Sequence, residues 1–374
     1  MCSDGFRRFA AGVVRVFILK PDGIGDFVLA TGAIRLLARE FGEENVILCV
    51  KSLLVPLAKS QFPHAIVIDL PVAAQRKVLN LFLRNFLACL PTWWRLRTTP
   101  VDIAICLRSM RNYLETLLFL SSRARRHVAN ENILLRGKRR VRMLVENSSH
   151  RIFGSELTPY PDPGGDVPME IEAHRRVIEQ TLQRPVALAE ILPVITPTKQ
   201  PVESSSYWIC APITNLGSKL YPLPKWRDAF QALQPESANK RILLVGSEDQ
   251  RTPLSELQSL LCEAGCGGAE VCFPGDLVDF VNLIAGAEML FTVDTAAAHF
   301  AIALDRRTLI LFSGLHRGMF GPWHRSARQS WLEPLPSAKK RKWHAGIEPA
   351  RVAAEARRLL VGLATELPPP PVRP

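Results

Sequence analysis

Two patterns take turns along this chain. Short aliphatic and β-branched runs, of the kind that suit strands buried on both faces, alternate with longer stretches in which apolar residues return every three or four positions. The alternation comes in two blocks and predicts an α/β protein made of two Rossmann-like, doubly wound parallel sheets. In the first block, strands are expected at 13–19, 46–50, 66–70 and 102–107, and helices at 26–41 (stopped by Gly42), 77–90 and 111–120. Residues 158–168, rich in Pro, Gly and Asp, read as loop, and 170–183 as a helix. Proline-bearing sequence over 185–201 then reads as linker. The second block has strands at 207–211, 241–245, 270–272, 289–292 and 308–312, and a helix at 349–361 with proline at its start. No period of 20 to 50 residues signals a solenoid.

A length of 374 residues supports the same division, since single cores stop growing near about 250–300 residues. The expected organisation is an N-terminal domain over 1–185, a linker over 186–203 and a C-terminal domain over 204–345. A terminal helix over 346–367, returning to the first domain, and a disordered tail over 368–374 complete it. Open parallel sheets hold ligands beyond the carboxyl ends of their strands, so if the domains face each other their sites share one cleft. No apolar run approaches the roughly 20 residues of a spanning helix. The N-terminal apolar segment carries Arg15 and leads directly into a glycine motif, a poor secretory signal, so a cytoplasmic location is expected.

The eight cysteines are scattered and read as reduced core residues. Cys262, Cys266 and Cys272 lack a C-x-x-C pair and an evident fourth ligand, so no metal site is predicted. Net charge is +12, of which +9 falls within residues 1–190 and +3 in the remainder. The first half should therefore meet an anionic partner. Its densest segment, 123–151, carries nine basic residues against Glu131 and Glu146, and reads as an acceptor-binding loop. The aromatic residues needed for base stacking are nearly absent there, so no nucleic acid is expected.

The sharpest local signal is Lys20-Pro21-Asp22-Gly23-Ile24-Gly25-Asp26, a glycine loop between a strand and a helix. Such a loop suits anions at the helix N-terminus. It fails as a dinucleotide fingerprint, because Val28 stands where the third glycine belongs and the second strand ends at Val50-Lys51 rather than in a carboxylate. Asp26 at the helix start has two readings: an N-cap, or a general base that removes a proton from an attacking hydroxyl. The helix N-terminus should keep it ionised at neutral pH, though weakly basic. A second signal, Val293-Asp294-Thr295, delivers a carboxylate and a hydroxyl to another helix start, which serves as capping or as a diphosphate seat. His299 reads as a ligand contact or a satisfied structural histidine. No D-x-D pair occurs, so no obligatory divalent metal is expected on a diphosphate, and no Walker A sequence occurs either.

Taken together, Leu19 to Asp26 and Val293-Asp294-Thr295-Ala296-Ala297-Ala298-His299 resemble the two signature segments of glycosyltransferase family 9, the heptosyltransferases. Leu107 to Arg111 resembles the family's segment after the fourth strand. Ala211 to Asn215, with Lys219 and Trp226, resembles its first strand, loop and helix of the second domain. The resemblance implies a GT-B fold, inverting transfer without an obligatory metal or other cofactor, an ADP-heptose donor on the C-terminal domain and an anionic lipopolysaccharide core acceptor on the N-terminal domain. Residue by residue, Asp26 matches the catalytic base. Thr214, Asn215, Lys219, Glu248, Asp294, Thr295, Ala296 and His299 fall on the donor side, with Glu248 or Asp249 toward the ribose. Lys20, Asp22, Gly25, Arg111, Arg136, Lys138, Arg139 and Arg140 fall on the acceptor side. Ala296 replaces the usual glycine, which narrows the approach to the helix start, and Lys20 replaces an arginine, trading a planar fork for a point charge.

One further surface carries a choice. Residues 78–97 read as an apolar helix followed by Trp93-Trp94-Arg95-Leu96-Arg97, a segment that either packs on the first sheet or attaches peripherally to the inner face of the cytoplasmic membrane. The expectation for the whole chain is a heptosyltransferase of lipopolysaccharide biosynthesis. The alternatives are a related transferase with another nucleotide sugar or a protein acceptor, and a noncatalytic sugar-nucleotide-binding protein.

Overall fold

The structure is a computed structural model and describes residues 13–71, 79–111, 113–131, 139–161, 168–199, 207–266, 268–335 and 340–361. The chain divides into two compact units, the first of residues 1–194 and 318–320, the second of 195–317 and 321–374. The boundary at Val194 falls inside the expected linker.

The first unit runs β1 (Val16–Lys20), α1 (Ile24–Phe41), β2 (Val46–Lys51), α2 (Val55–Gln61), β3 (Ile66–Leu70), α3 (Leu79–Thr98), β4 (Ile103–Cys106), α4 (Tyr113–Ser121), β5 (Arg126–Asn130), α5 (Arg139–Ile152), β6 (Glu156–Thr158), α6 (Met169–Leu182) and α7 (Leu188–Ile191). Its six strands are all parallel, in the order β3-β2-β1-β4-β5-β6. Every residue of β1 and β4 is buried, as expected of central strands covered by helices on both faces. Helix α1 lies close to the end of the unit: a Cβ on Gly32 would sit 2.1 Å from the Ile191 carbonyl oxygen, so only glycine lets α7 approach. The expected linker thus begins with an element packed on the first unit.

Three expectations need correction here. The basic segment 123–151 is not one loop: it contains β5 and most of α5, which were missed because β5 offers only Val128 and Ala129 as buried apolar residues behind Arg126 and His127. Strand β6, three residues long, was missed for the same reason of brevity. Helix α3 extends to Thr98 with Pro91 inside it, because Cys89, Thr92 and Leu96 carry the helical spacing of its buried face onward.

The second unit runs β7 (Tyr207–Ala211), α8 (Leu223–Ala232), α9 (Gln234–Ser237), β8 (Arg241–Val245), α10 (Arg251–Glu263), β9 (Ala269–Cys272), α11 (Leu277–Gly286), β10 (Met289–Val293), α12 (Ala296–Ala303), β11 (Thr308–Leu311), β12 (Gln329–Leu332) and α13 (Pro349–Val361). Its strand order, β12-β11-β10-β7-β8-β9, repeats the first unit's topology without repeating its sequence. Trp208, Trp226, Phe230 and Phe291 fill one face of the sheet at ring separations of 5.0–6.2 Å. In helix α13, Val352, Ala353, Ala356 and Leu359 join the second unit's core beside α8. The tail at 368–374 lies outside the described residues.

Candidate active site

Each sheet reverses its winding direction between its first and fourth strands, β1 and β4 in one unit, β7 and β10 in the other. Chains leaving those strands diverge to opposite faces and leave a crevice at the carboxyl edge, where ligands bind in open α/β sheets. The two motifs singled out by sequence leave β1 and β10 at those points.

In the first unit, β1 ends in Lys20, which is fully buried. Its Nζ donates to the Leu107 carbonyl at 2.7 Å and to Glu170 Oε1 at 3.1 Å, and lies 3.2 Å from His174 Nε2 and 3.0 Å from Asp22 Oδ2. Arg108, just past β4, faces Asp22 Oδ1 at 2.9 Å and Glu115 at 3.0 Å. Ser109 donates to the other oxygen of Glu170 at 2.6 Å, and Tyr160 reaches the same atom at 3.4 Å. Removing any one member would leave a buried charge or polar atom without its partner, so the set holds a single geometry.

Asp26 stands at the rim of this network. It is not the N-cap, as one reading had it: α1 begins at Ile24, Gly23 occupies the cap, and Asp26 Oδ2 reaches back to accept the Gly23 N–H at 3.3 Å. Its ionisation also departs from expectation. Burial, reinforced by Asp22 and Glu170, outweighs Lys20 and Arg108 and raises the carboxyl from 3.8 to about 7. The helix field does not win, so Asp26 titrates near neutrality, where a general base works best. Glu170 goes the other way: burial opposes its charge, but Lys20, His174 and Ser109 overcome that and hold it well below the ordinary carboxylate range. Lys20 is likewise opposed by burial and held above its usual value by Asp22, Glu170 and Asp26.

In the second unit, β10 delivers Asp294 and Thr295 to the start of α12, with Thr295 as N-cap in extended backbone. Lys219 Nζ bonds Asp294 Oδ2 at 2.6 Å and the Asp294 carbonyl at 3.2 Å, a buried pair that joins the loop after β7 to the turn after β10. Thr295 Oγ1 lies 3.3 Å from Thr292 Oγ1, which donates to the Ala211 carbonyl at 2.8 Å. The first N–H groups of α12 have no helical acceptor and are oriented for an anion. His299, one turn on, is buried and stacked on Trp323 at 6.2 Å and 11°, whose indole N–H donates to Nδ1 at 3.0 Å. Burial takes the imidazole down to about 4, so it is neutral and carries its proton on Nε2.

The remaining expected residues scatter. Thr214 Oγ1 accepts the Leu216 N–H at 3.2 Å, and Asn215 accepts from Gln250 at 3.4 Å. Glu248 is exposed and paired with Arg251, and Asp249 is also exposed. Gly25 occupies the first turn of α1. Arg111 is 1% exposed, with its guanidinium bonded to the carbonyls of Arg108 and Asn130. Those two bonds tie the chain after β4 to the end of β5. Arg136 and Lys138 lie outside the described residues, and only the backbone of Arg139 and Arg140, the first two residues of α5, is described.

Sequence reasoning placed Arg108 and Ser109 in a family-like segment without giving them a role, and missed Tyr160, Glu170 and His174. Glu170 and His174 share a helix face at i and i+4, but nothing local marks that face as buried against β1. Among the described residues no group of three or more His, Cys, Asp or Glu is arranged to hold a metal ion, and no helix is long and apolar enough to cross a membrane.

No curated protein matches the chain. Among solved structures, E. coli ADP-heptose lipopolysaccharide heptosyltransferase II superposes with a TM-score of 0.66 at 16% identity, covering 93% of this chain and 99% of that one. E. coli heptosyltransferase WaaC with ADP gives 0.64 at 17%, with coverages of 93% and 99%. A family 9 glycosyltransferase from Veillonella parvula gives 0.68 at 13%, with coverages of 93% and 97%. At such identities the likeness is one of fold, the GT-B architecture of two parallel-sheet units. The model of glycosyltransferase family 9 (heptosyltransferase) matches residues 155–349, which carry both the Glu170–His174 face and the Lys219–Asp294 turn. With just over half of its length matched, the chain is a glycosyltransferase and belongs to family 9, the heptosyltransferases.

Proposed function

We propose that the protein transfers heptose from ADP-heptose, with inversion, to a hydroxyl of an anionic lipopolysaccharide inner-core acceptor. Each unit taken by itself supports this reading, and the observation that carries it is the near-neutral Asp26 carboxylate at the first unit's switch point; the second unit's own switch point holds a buried cation beside a helix start. Asp26, half ionised near pH 7, takes the hydroxyl proton while the acceptor oxygen bonds to the anomeric carbon and the bond from that carbon to the diphosphate oxygen breaks. Negative charge grows on the departing ADP. The α12 N-terminus, Thr295 and Lys219 meet it, with Asp294 holding the ammonium in place until the diphosphate arrives. Ala296 at the helix start donates its backbone N–H, and its methyl group restricts how the sugar lies.

Two of the solved structures that superpose on this chain are described with ADP and with ADP-2-deoxy-2-fluoro heptose, which supports the choice of donor. On the acceptor side, Lys20 and Asp22 act by positioning Asp26 and Arg108, and Arg108 is the half-buried guanidinium beside the base. The basic start of α5 would add long-range attraction for phosphate and carboxylate. A lipid-borne acceptor places the enzyme at a membrane surface as a peripheral protein. The deciding assay compares ADP-heptose with other nucleotide sugars against lipid A-core acceptors. ADP release with ADP-heptose supports the reading; release only with a different donor, or binding of ADP without turnover, replaces it with one of the alternatives.

A further inference from the structure

The first unit carries a second built surface, at the opposite edge of its sheet from Asp26. Helix α3 buries Cys89, Thr92 and Leu96 and turns its other face outward. On that outer face Leu87 is 54% exposed, Leu90 38% and Trp94 64%, at the spacing of one helical stripe. Exposed leucines and a tryptophan in one line are unusual for a surface that meets only water. Beyond Trp94 the stripe runs into an open pocket of about 560 Å³, lined among others by Trp94, Arg97, Pro100, Asp102, Arg123 and Arg125. The pocket lies beside the amino ends of β4 and β5, where the chain enters both strands.

Three arginines and one aspartate line it. Arg125 is 75% exposed and 3.9 Å from Asp102, and Arg97 is held over the Trp93 ring at 5.6 Å. Arg95 adds a further exposed cation on the same helix. Arg123 and Arg125 belong to the basic segment that sequence alone assigned to the acceptor, yet they sit at the far edge of the sheet from the base. They are too remote to touch a hydroxyl beside Asp26.

We infer that this surface docks the enzyme on a bilayer bearing anionic phospholipids, with Leu87, Leu90 and Trp94 in the headgroup and acyl boundary and a lipid phosphate in the Arg97–Arg123–Arg125 pocket. The apolar stripe and the cations are contiguous, which is what an interfacial site requires and a protein acceptor site does not: apolar insertion and headgroup charge must act at the same depth. Tryptophan is suited to that layer, being apolar with one polar N–H, and an arginine fork suits a phosphate. The inference rests on the peripheral attachment proposed above and is independent of the donor and of the base.

The test uses the full chain and two kinds of vesicle, phosphatidylcholine alone and phosphatidylcholine with about one third phosphatidylglycerol, at low and at physiological salt. The wild type should cosediment with the anionic vesicles and much less with the neutral ones. Replacing Arg97, Arg123 and Arg125 by Gln should lower partitioning about a hundredfold, because each surface cation near an anionic leaflet contributes about fivefold. Trp94→Glu should lower it even at low salt. Equal partitioning of the wild type onto both vesicles, or of the triple variant and wild type onto the anionic ones, overturns the inference. Turnover of a delipidated, soluble acceptor separates this from the transfer reaction. Unchanged kcat and KM in the triple variant support a docking surface, whereas a raised KM returns the arginines to the acceptor site and overturns it. A dimer in solution that Trp94→Glu dissociates would assign the stripe to a second copy of the chain and also overturn it. Absence of any turnover in the wild type would count against the proposed reaction and leave the vesicle result standing.

Discussion

Replacing Asp26 by Asn should make the protein more stable and less active, and the two effects should separate by pH. In the folded protein the carboxyl is raised from 3.8 to about 7, so its charged form is disfavoured by folding. The sign follows from linkage: an acid with a raised folded-state value costs nothing below the unfolded value and costs progressively more as pH rises to the folded one. The rise corresponds to about 4 kcal/mol at full ionisation. Asp26 is half-buried, and solvent screening reduces this to about 2 kcal/mol. Asn removes the charge while keeping an oxygen for the Gly23 N–H. Its melting midpoint should therefore equal that of the wild type near pH 4, pull ahead between pH 4 and 7, and lead by roughly 4–8 °C at pH 8 for a unit of this size. Turnover should fall by about a hundredfold to ten-thousandfold, as when a general base is lost, with ADP affinity unchanged. Calorimetry over a pH series and an ADP-release assay check both. A midpoint difference that does not depend on pH would refute the buried, near-neutral carboxylate, and wild-type turnover would refute the base.

Because Asp22 is the main charge that raises Asp26, Asp22→Asn should shift the acid limb of kcat/KM, expected near pH 7 in the wild type, to lower pH; an unmoved limb would show that Asp22 does not act on the base. Lys219→Met leaves the Asp294 carboxylate buried without its partner, so it should destabilise the second unit by about 3–5 kcal/mol in urea unfolding and weaken ADP binding at least tenfold by calorimetric titration. Gly32→Ala would set a methyl group 2.1 Å from a backbone carbonyl oxygen, a clash that should lower stability by at least about 1–3 kcal/mol on denaturation, whatever the buffer or ligand. Excess EDTA should leave most of the turnover in place, and complete loss restored by Mg²⁺ would require a metal on the diphosphate.

Periodicity alone was enough for the central strands and for the helices that cover them. Strands β1, β2, β3 and β8 are mostly aliphatic runs and β7 is an apolar one led by Tyr207 and Trp208, and helices α1, α6 and α13 have regular apolar spacing; such signals are local and survive without a partner. The turn residues Asp26, Asp294 and Thr295 were legible for the same reason, since a carboxylate or hydroxyl between a strand and a helix is a local signal of a helix start; that β1 and β10 flank the switch points follows from the strand order alone. Tertiary structure decided the rest. Strand β5 is held in the sheet by β4 and β6 rather than by its own few apolar residues. Arg111 and Arg108, three positions apart with the same charge, take opposite roles because one side chain turns into the interior and the other toward Asp22. Glu170 lies 150 positions from Lys20 and yet bonds it. The charge state of Asp26 follows from that assembly: a helix start by itself favours the ionised carboxylate, and only the burial and the neighbouring acids brought in by folding push it toward neutrality. A chain's own order can state which groups are present at a turn, but desolvation and Coulomb energy depend on distances that exist only once distant segments have packed together.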